Sequence, residues 1–230
     1  MYTLPPLSMG EKLDIDDECV CLHMWDKARW LQELNADIIL KHAFAELNQL
    51  YQYSEEDLDF LVNNNAIIPS GREKIIRKGL YFGLQGDLYA AVHILIPQVE
   101  SIIRHLVDMC GGNTFYIDKD GNANDYLIGT LLSSQELNDC YDNDILFCLK
   151  GLLDKKEGSN LRNEVAHGFL EPGNRSIEFY FVGFVIRLLS CYSMVCWEER
   201  EIMSKNKNVV SSEKSIDVEE KDGDEQKRVL

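Results

Sequence analysis

The chain has 230 residues, 45% of them apolar, with 39 acidic and 23 basic side chains and a formal charge of −16. That length supports one good-sized core and needs no disulfides to hold it. So acidic a balance argues against a protein that coats nucleic acid through overall positive charge, because phosphate contacts dominate such binding.

The excess charge is unevenly placed, however. Residues 1–70 hold 13 acidic and 4 basic side chains and residues 198–230 hold 10 and 7, which leaves 16 and 12 for the middle of the chain. Three regions are expected: an acidic helical segment over 1–53, a main helical domain over 54–197, and a disordered charged tail over 198–230. The seven cysteines are odd in number and most sit in apolar runs, as in Leu146-Phe147-Cys148-Leu149, which reads as reduced thiols in a reducing compartment. Cys19 and Cys21 are separated by one residue with no second Cys or His knuckle nearby, which argues against zinc. The amino-terminal residues lack the basic and apolar regions of a secretory signal, so a cytoplasmic location is expected.

In chain order, Trp30, Leu34, Ile38, Phe44 and Leu47 recur at roughly helical spacing and predict a helix from about Asp26 to Tyr51. Ser54 to Asp57 predicts a capped start for a short helix through Val62, ended by Asn63-Asn64-Asn65. Ser70-Gly71-Arg72-Glu73 has the form of a capping box and predicts a helix through about Leu84, punctuated by Gly86-Asp87. Leu88, Val92, Leu95, Val99, Ile102 and Leu106 then alternate steps of four and three, the mark of a long amphipathic helix ending at Gly111-Gly112.

Thr114 to Asp118 alternates toward a turn at Lys119-Asp120-Gly121, so a small β-hairpin near residues 114–124 is expected between helices. The acidic run there lacks the glycine and glutamate positions of a calcium loop, so no metal is assigned. Helices are predicted over about Asp125–Leu132, Asp142–Leu153 and Asn160–His167, the last stopped by Gly168. The final element, about Ser176 to Trp197, is apolar nearly all round and long enough to span a bilayer. Glu178 and a central Arg187 make a core helix the better reading, since a mid-membrane arginine costs about 2.5–3.5 kcal/mol.

The chemistry concentrates in Ser159-Asn160-Leu161-Arg162-Asn163-Glu164-Val165-Ala166-His167-Gly168. A histidine can move a proton near neutral pH, and a guanidinium can fork onto phosphate oxygens. Asn163 and His167 are four apart and are expected on one helical face, where the amide would orient the imidazole. Arg162 and His167 are five apart, about 140° around an ideal helix, so one copy of the segment looks incomplete. Cleavage of RNA by its own 2′-hydroxyl needs a proton acceptor at that oxygen and positive charge at the developing phosphorane, which His167 and Arg162 fit.

Two basic groups flank the segment: Arg72, Lys74, Arg77 and Lys78, and Lys150, Lys155, Lys156 and Arg162. Of these, Arg72, Lys74, Lys155 and Lys156 are candidate substrate contacts. His93, Pro97, Glu100 and Arg104 form a stripe beside the apolar face of the long helix. Pro97 is expected to kink that helix and turn Glu100 toward Arg162, with a local Glu100–Arg104 pair as the alternative.

The segment Arg162–His167 resembles the arginine, polar residue and histidine motif of the HEPN superfamily. Gly79 to Glu100, the Asp120-Gly121 turn and Gly151 to Leu170 extend the likeness to the HEPN-like domain of the endoplasmic-reticulum-membrane-associated RNA degradation protein and its bacterial relatives. The resemblance covers roughly residues 54–197 and implies an all-α HEPN-type bundle with the inserted hairpin. It implies a metal-independent endoribonuclease with no cofactor, in which Arg162 and His167 are catalytic and Asn163 is their polar companion. It also implies a homodimer through the motif helix and RNA as partner, with no DNA specificity. The alternative function is a non-catalytic dimerisation or partner-binding module. Membrane association, at the cytosolic face of the endoplasmic reticulum, is the less favoured location.

Overall fold

A computed structural model describes residues 18–173 and 175–193, and these form a mostly helical protein with one two-stranded antiparallel sheet. The expected tail over 198–230 lies outside the described residues, as do Cys196 and Trp197.

The first helical stretch is α1, Glu18–Asn35, continued through a π turn at Ala36–Leu40 into α2, Lys41–Leu50. This corrects the expected face of that helix. Trp30, Leu34 and Ile38 are exposed, while Gln32, Ala36 and Phe44 are buried. Steps of four residues drift about 40° around an α-helix, and the wider π turn takes up part of that drift, so Ala36 and Phe44 both reach the core. The α1 face packs on later elements: Trp25 stacks on Phe147 with ring centroids 5.7 Å apart, and Arg29 donates to the Gly158 carbonyl at 3.4 Å.

After a single turn at Glu56–Leu58 and the short α3, Asp59–Val62, comes α4, Glu73–Leu84. The predicted capping box does not form. Arg72 is the N-cap, without a side-chain cap bond, because Gly71 takes a left-handed conformation (φ 83°) in the turn ahead of it. Asp87 caps the next helix by accepting from the Ala90 amide at 3.1 Å. That helix, α5, runs Leu88–Met109, with Pro97 on its exposed side.

All six of its predicted apolar positions are buried, and Ala91, Ile96, Ile103 and Val107 are buried with them. Helix α5 is therefore covered on more than one side. It packs on α4 so closely that a Cβ at Gly79 would lie 2.7 Å from Leu95 Cδ2.

The hairpin pairs β1, Phe115–Ile117, with β2, Ala123–Asp125, in the register Tyr116 opposite Asn124. Asp118 closes its turn: one carboxylate oxygen accepts from the Asp120 and Asn122 amides at 2.9 Å, and the other from the Asn124 side chain at 2.9 Å. Then follow α6, Ile128–Leu132; α7, Gln135–Cys140, which the sequence reading did not separate; α8, Asn143–Leu153; and α9, Leu161–Ala166. The last described helix, α10, Ser176–Tyr192, packs on α1, α4 and α5. It presents Phe181, Val182, Val185 and Leu189 to the core and Arg187 to solvent. No described helix is long and apolar enough to cross a membrane.

Candidate functional site

Leu161, fully buried, anchors α9 between α5 and α8. The approach to it is tight, because Gly158 sits against the Gly151 carbonyl where a Cβ would collide, and the Ser159 amide donates to that same carbonyl at 2.8 Å. Asn160 precedes the helix in a left-handed conformation (φ 48°), which asparagine tolerates better than most residues. Its side-chain oxygen accepts from Asn163 Nδ2 at 2.7 Å. The motif helix thus starts from a polar turn set on a buried leucine.

Arg162 leaves this start toward α5. Its Nε donates to Glu100 Oε2 at 3.5 Å, and one terminal nitrogen donates to Asn163 Oδ1 at 3.1 Å. The other Glu100 oxygen accepts from Arg104 at 3.1 Å. Both arrangements weighed for Glu100 therefore coexist, one carboxylate oxygen to each arginine. Arg104 also donates to the Tyr126 carbonyl at 2.8 Å and the Thr114 carbonyl at 3.4 Å, which fastens the base of the hairpin to α5. Arginine carries five N–H donors, so Arg162 keeps donors beyond the two it uses on Glu100 and Asn163.

His167 stands differently from the expectation. The helix ends at Ala166, and His167 is its C-cap, exposed, with its ring stacked on that of Phe169 at 5.7 Å between centroids. Gly168 follows with φ 69°, a conformation a side chain resists, and the chain turns away. The Asn163 amide is occupied by Arg162 and Asn160 and does not orient the imidazole. The structure brings together Arg162, Asn163, Glu100 and Arg104, and leaves His167 free at the other end of a helix of less than two turns.

The four candidate substrate contacts do not join this group. Lys155 pairs with Asp154 at 3.2 Å and lies 5.4 Å from the centre of the Trp25 ring, on the α1 side. Lys156 is exposed in the same loop. Arg72 donates to Gln98 Oε1 at 3.4 Å, and Lys74 borders an open polar hollow with Asn63, Asn64 and Arg77.

One residue that the sequence reading passed over holds the motif helix from behind. Arg175, just before α10, donates to Glu164 Oε2 at 2.7 Å and to Glu178 Oε1 at 2.9 Å. Glu178 is fully buried and also accepts from the Arg175 amide at 3.3 Å. Burial opposes the Arg175 charge, but the hydrogen bonds to Glu164 and Glu178 prevail and raise its pKa. Nothing local in the sequence marks this bridge, since its ends lie 11 residues apart across a loop. Asn160 did carry a signal, as a left-handed-tolerant residue directly ahead of a helix.

No protein-family model matches the chain, and neither a curated protein nor a solved structure matches it.

Proposed function

We propose that the protein is a HEPN-type, metal-independent endoribonuclease acting on cytosolic RNA through Arg162 and His167. The observation that carries this reading is the Glu100–Arg162–Asn163 group. A carboxylate from another helix and a neighbouring amide fix a half-exposed guanidinium while leaving it donors for a phosphate oxygen. In this reading the exposed imidazole of His167 accepts the 2′-hydroxyl proton as that oxygen attacks phosphorus, and Arg162 meets the charge gathering on the phosphorane.

Arg162 and His167 sit at opposite ends of α9, so in this reading motif residues of two chains flank one phosphate. Tyr126, whose carbonyl takes Arg104, borders an open polar hollow of about 600 Å³ with Asn113, Thr130 and Glu136, room enough for a nucleotide beside that phosphate.

The test incubates purified wild-type protein and His167→Ala with mixed RNAs in EDTA. Removing a general base costs on the order of 10²–10⁴ in rate, so chelator-resistant cleavage is expected from wild type and little from the variant. Equal products from both would remove His167 from the mechanism.

A second reading, a non-catalytic partner-binding module, draws on a different aspect of the same group. Arg162 shares its charge with Glu100 and fixes the start of α9, a role that needs no substrate. Absence of cleavage by wild-type protein on every RNA tried would favour it.

A further inference from the structure

The solvent side of α1 and the π turn carries Trp30, Leu31, Leu34, Ile38 and Ile39, exposed by 56%, 56%, 38%, 62% and 53%. Isolated exposed apolar residues are ordinary, but a continuous run at spacings of three and four is not. Side chains of this size each expose on the order of 150–250 Å² when free, so the five together leave on the order of 500 Å² of largely apolar surface in water. A standard stable interface takes about 800 Å² from each partner, and an apolar centre of this size with a polar rim supplies it. Lys27, Asn35, Asp37 and His42 stand exposed around the stripe and provide that rim.

We infer that this stripe is the surface through which two copies of the chain associate, with the helices antiparallel about a two-fold axis at Leu34. The order of side chains favours a second copy over a different protein. Trp30 and Ile38 lie four residues to either side of Leu34, so an axis there sets each tryptophan of one chain against the isoleucine of the other and leucine against leucine. Bulk meets smaller bulk at both ends of the same pairing. The π turn sharpens the fit, because it keeps Ala36 and Phe44 in the core while Ile38 and Ile39 remain outside. No residue of the stripe belongs to the Arg162 site, so the inference goes beyond the ribonuclease reading and its failure is separable from that of the catalytic proposal.

Light scattering coupled to size exclusion, at roughly 50 µM protein and therefore above the Kd expected of an interface this large, measures the outcome. Wild type should run at twice the chain mass, and Leu34→Glu at once the chain mass with an unchanged far-ultraviolet spectrum, since Leu34 is not in the core. Leu34→Cys should form a disulfide-linked dimer under oxidation that wild type does not, because the axis brings the two copies of this position together. A monomeric wild type, a Leu34→Glu protein that stays dimeric, or a monomer that instead binds phospholipid vesicles through the stripe would overturn the inference. RNA cleavage plays no part in this readout.

Discussion

The two long faces of this molecule solve opposite problems. Around α5 and α9, charged groups are drawn into partial burial and each finds a partner: Glu100 serves two arginines, Arg162 takes both Glu100 and Asn163, and Arg175 joins Glu164 to a fully buried Glu178. Along α1 and the π turn, large apolar groups are left in water. Desolvated charge is stable only when its partners are in place, whereas exposed apolar surface costs nothing until another surface arrives to cover it. The first face is therefore complete within one chain, and the second is an invitation to association. Substitutions on the two faces should behave in correspondingly different ways.

The largest effect on stability is expected at Arg175. Arg175→Met keeps the aliphatic stem but strands the Glu178 carboxylate without its charged donor, and breaking a buried pair from one side costs roughly 3 kcal/mol. Urea unfolding should show that loss as a lower midpoint with an unchanged slope. A loss below about 0.5 kcal/mol would mean that the Glu178 pocket is not the anchor of this face. Leu34→Ala on the other face should stay within about 0.5 kcal/mol when measured on the monomer, which is the contrast itself in numbers.

A smaller effect is expected at Glu100. Glu100→Gln retains the shape and an accepting oxygen, but leaves Arg104 and Arg162 close together without the shared carboxylate. Where RNA cleavage is measurable, kcat/KM should fall about tenfold, equivalent to about 1.4 kcal/mol, as Arg162 loses its fixed direction. The far-ultraviolet spectrum should not change, because Glu100 sits at the edge of the core and its helix is held by the apolar positions around it. Turnover equal to wild type would detach Glu100 from the positioning of Arg162.

The same contrast explains what could be read from residues alone. Helix α5 was legible end to end because its six apolar positions step by four and three without interruption and every one of them is buried. Helix α1 misled because its exposed stripe and its buried face are both compatible with helical spacing, and the π turn that separates them has no local signature. The Ser70 to Glu73 pattern met the letter of a capping box, yet Gly71 bends the chain before the helix begins. Ser134, which caps α7 through the Leu137 amide, was a usable signal left unread. At the site, the approach of Glu100 to Arg162 followed from one stripe on α5. The partners of Asn163 did not, because they depend on α9 ending at Ala166 and on the left-handed turn at Asn160.

The smallest expected effect lies at the hairpin, whose base Arg104 ties to the Glu100 group. The Asp118 carboxyl is held below its ordinary value, first by the hydrogen bond from the Asn122 amide and also by those from Asn124, the Asn122 side chain and Asp120. A carboxylate with a folded-state pKa below its unfolded value of about 3.9 contributes stability that is fully present above that pH and disappears as pH falls through the lower folded value. Acidification from neutral to about pH 5 should therefore leave amide protection at Asp120 and Asn122 unchanged, and protection should fall only in the acid range below about 4. Asp118→Asn should abolish that acid-range step, because its side chain accepts through one oxygen at any pH, and should leave the Arg104 contacts at Thr114 and Tyr126 intact. Hydrogen exchange of the hairpin amides reads both results, and loss of protection already near neutral pH would show that the turn rests on something other than the Asp118 charge.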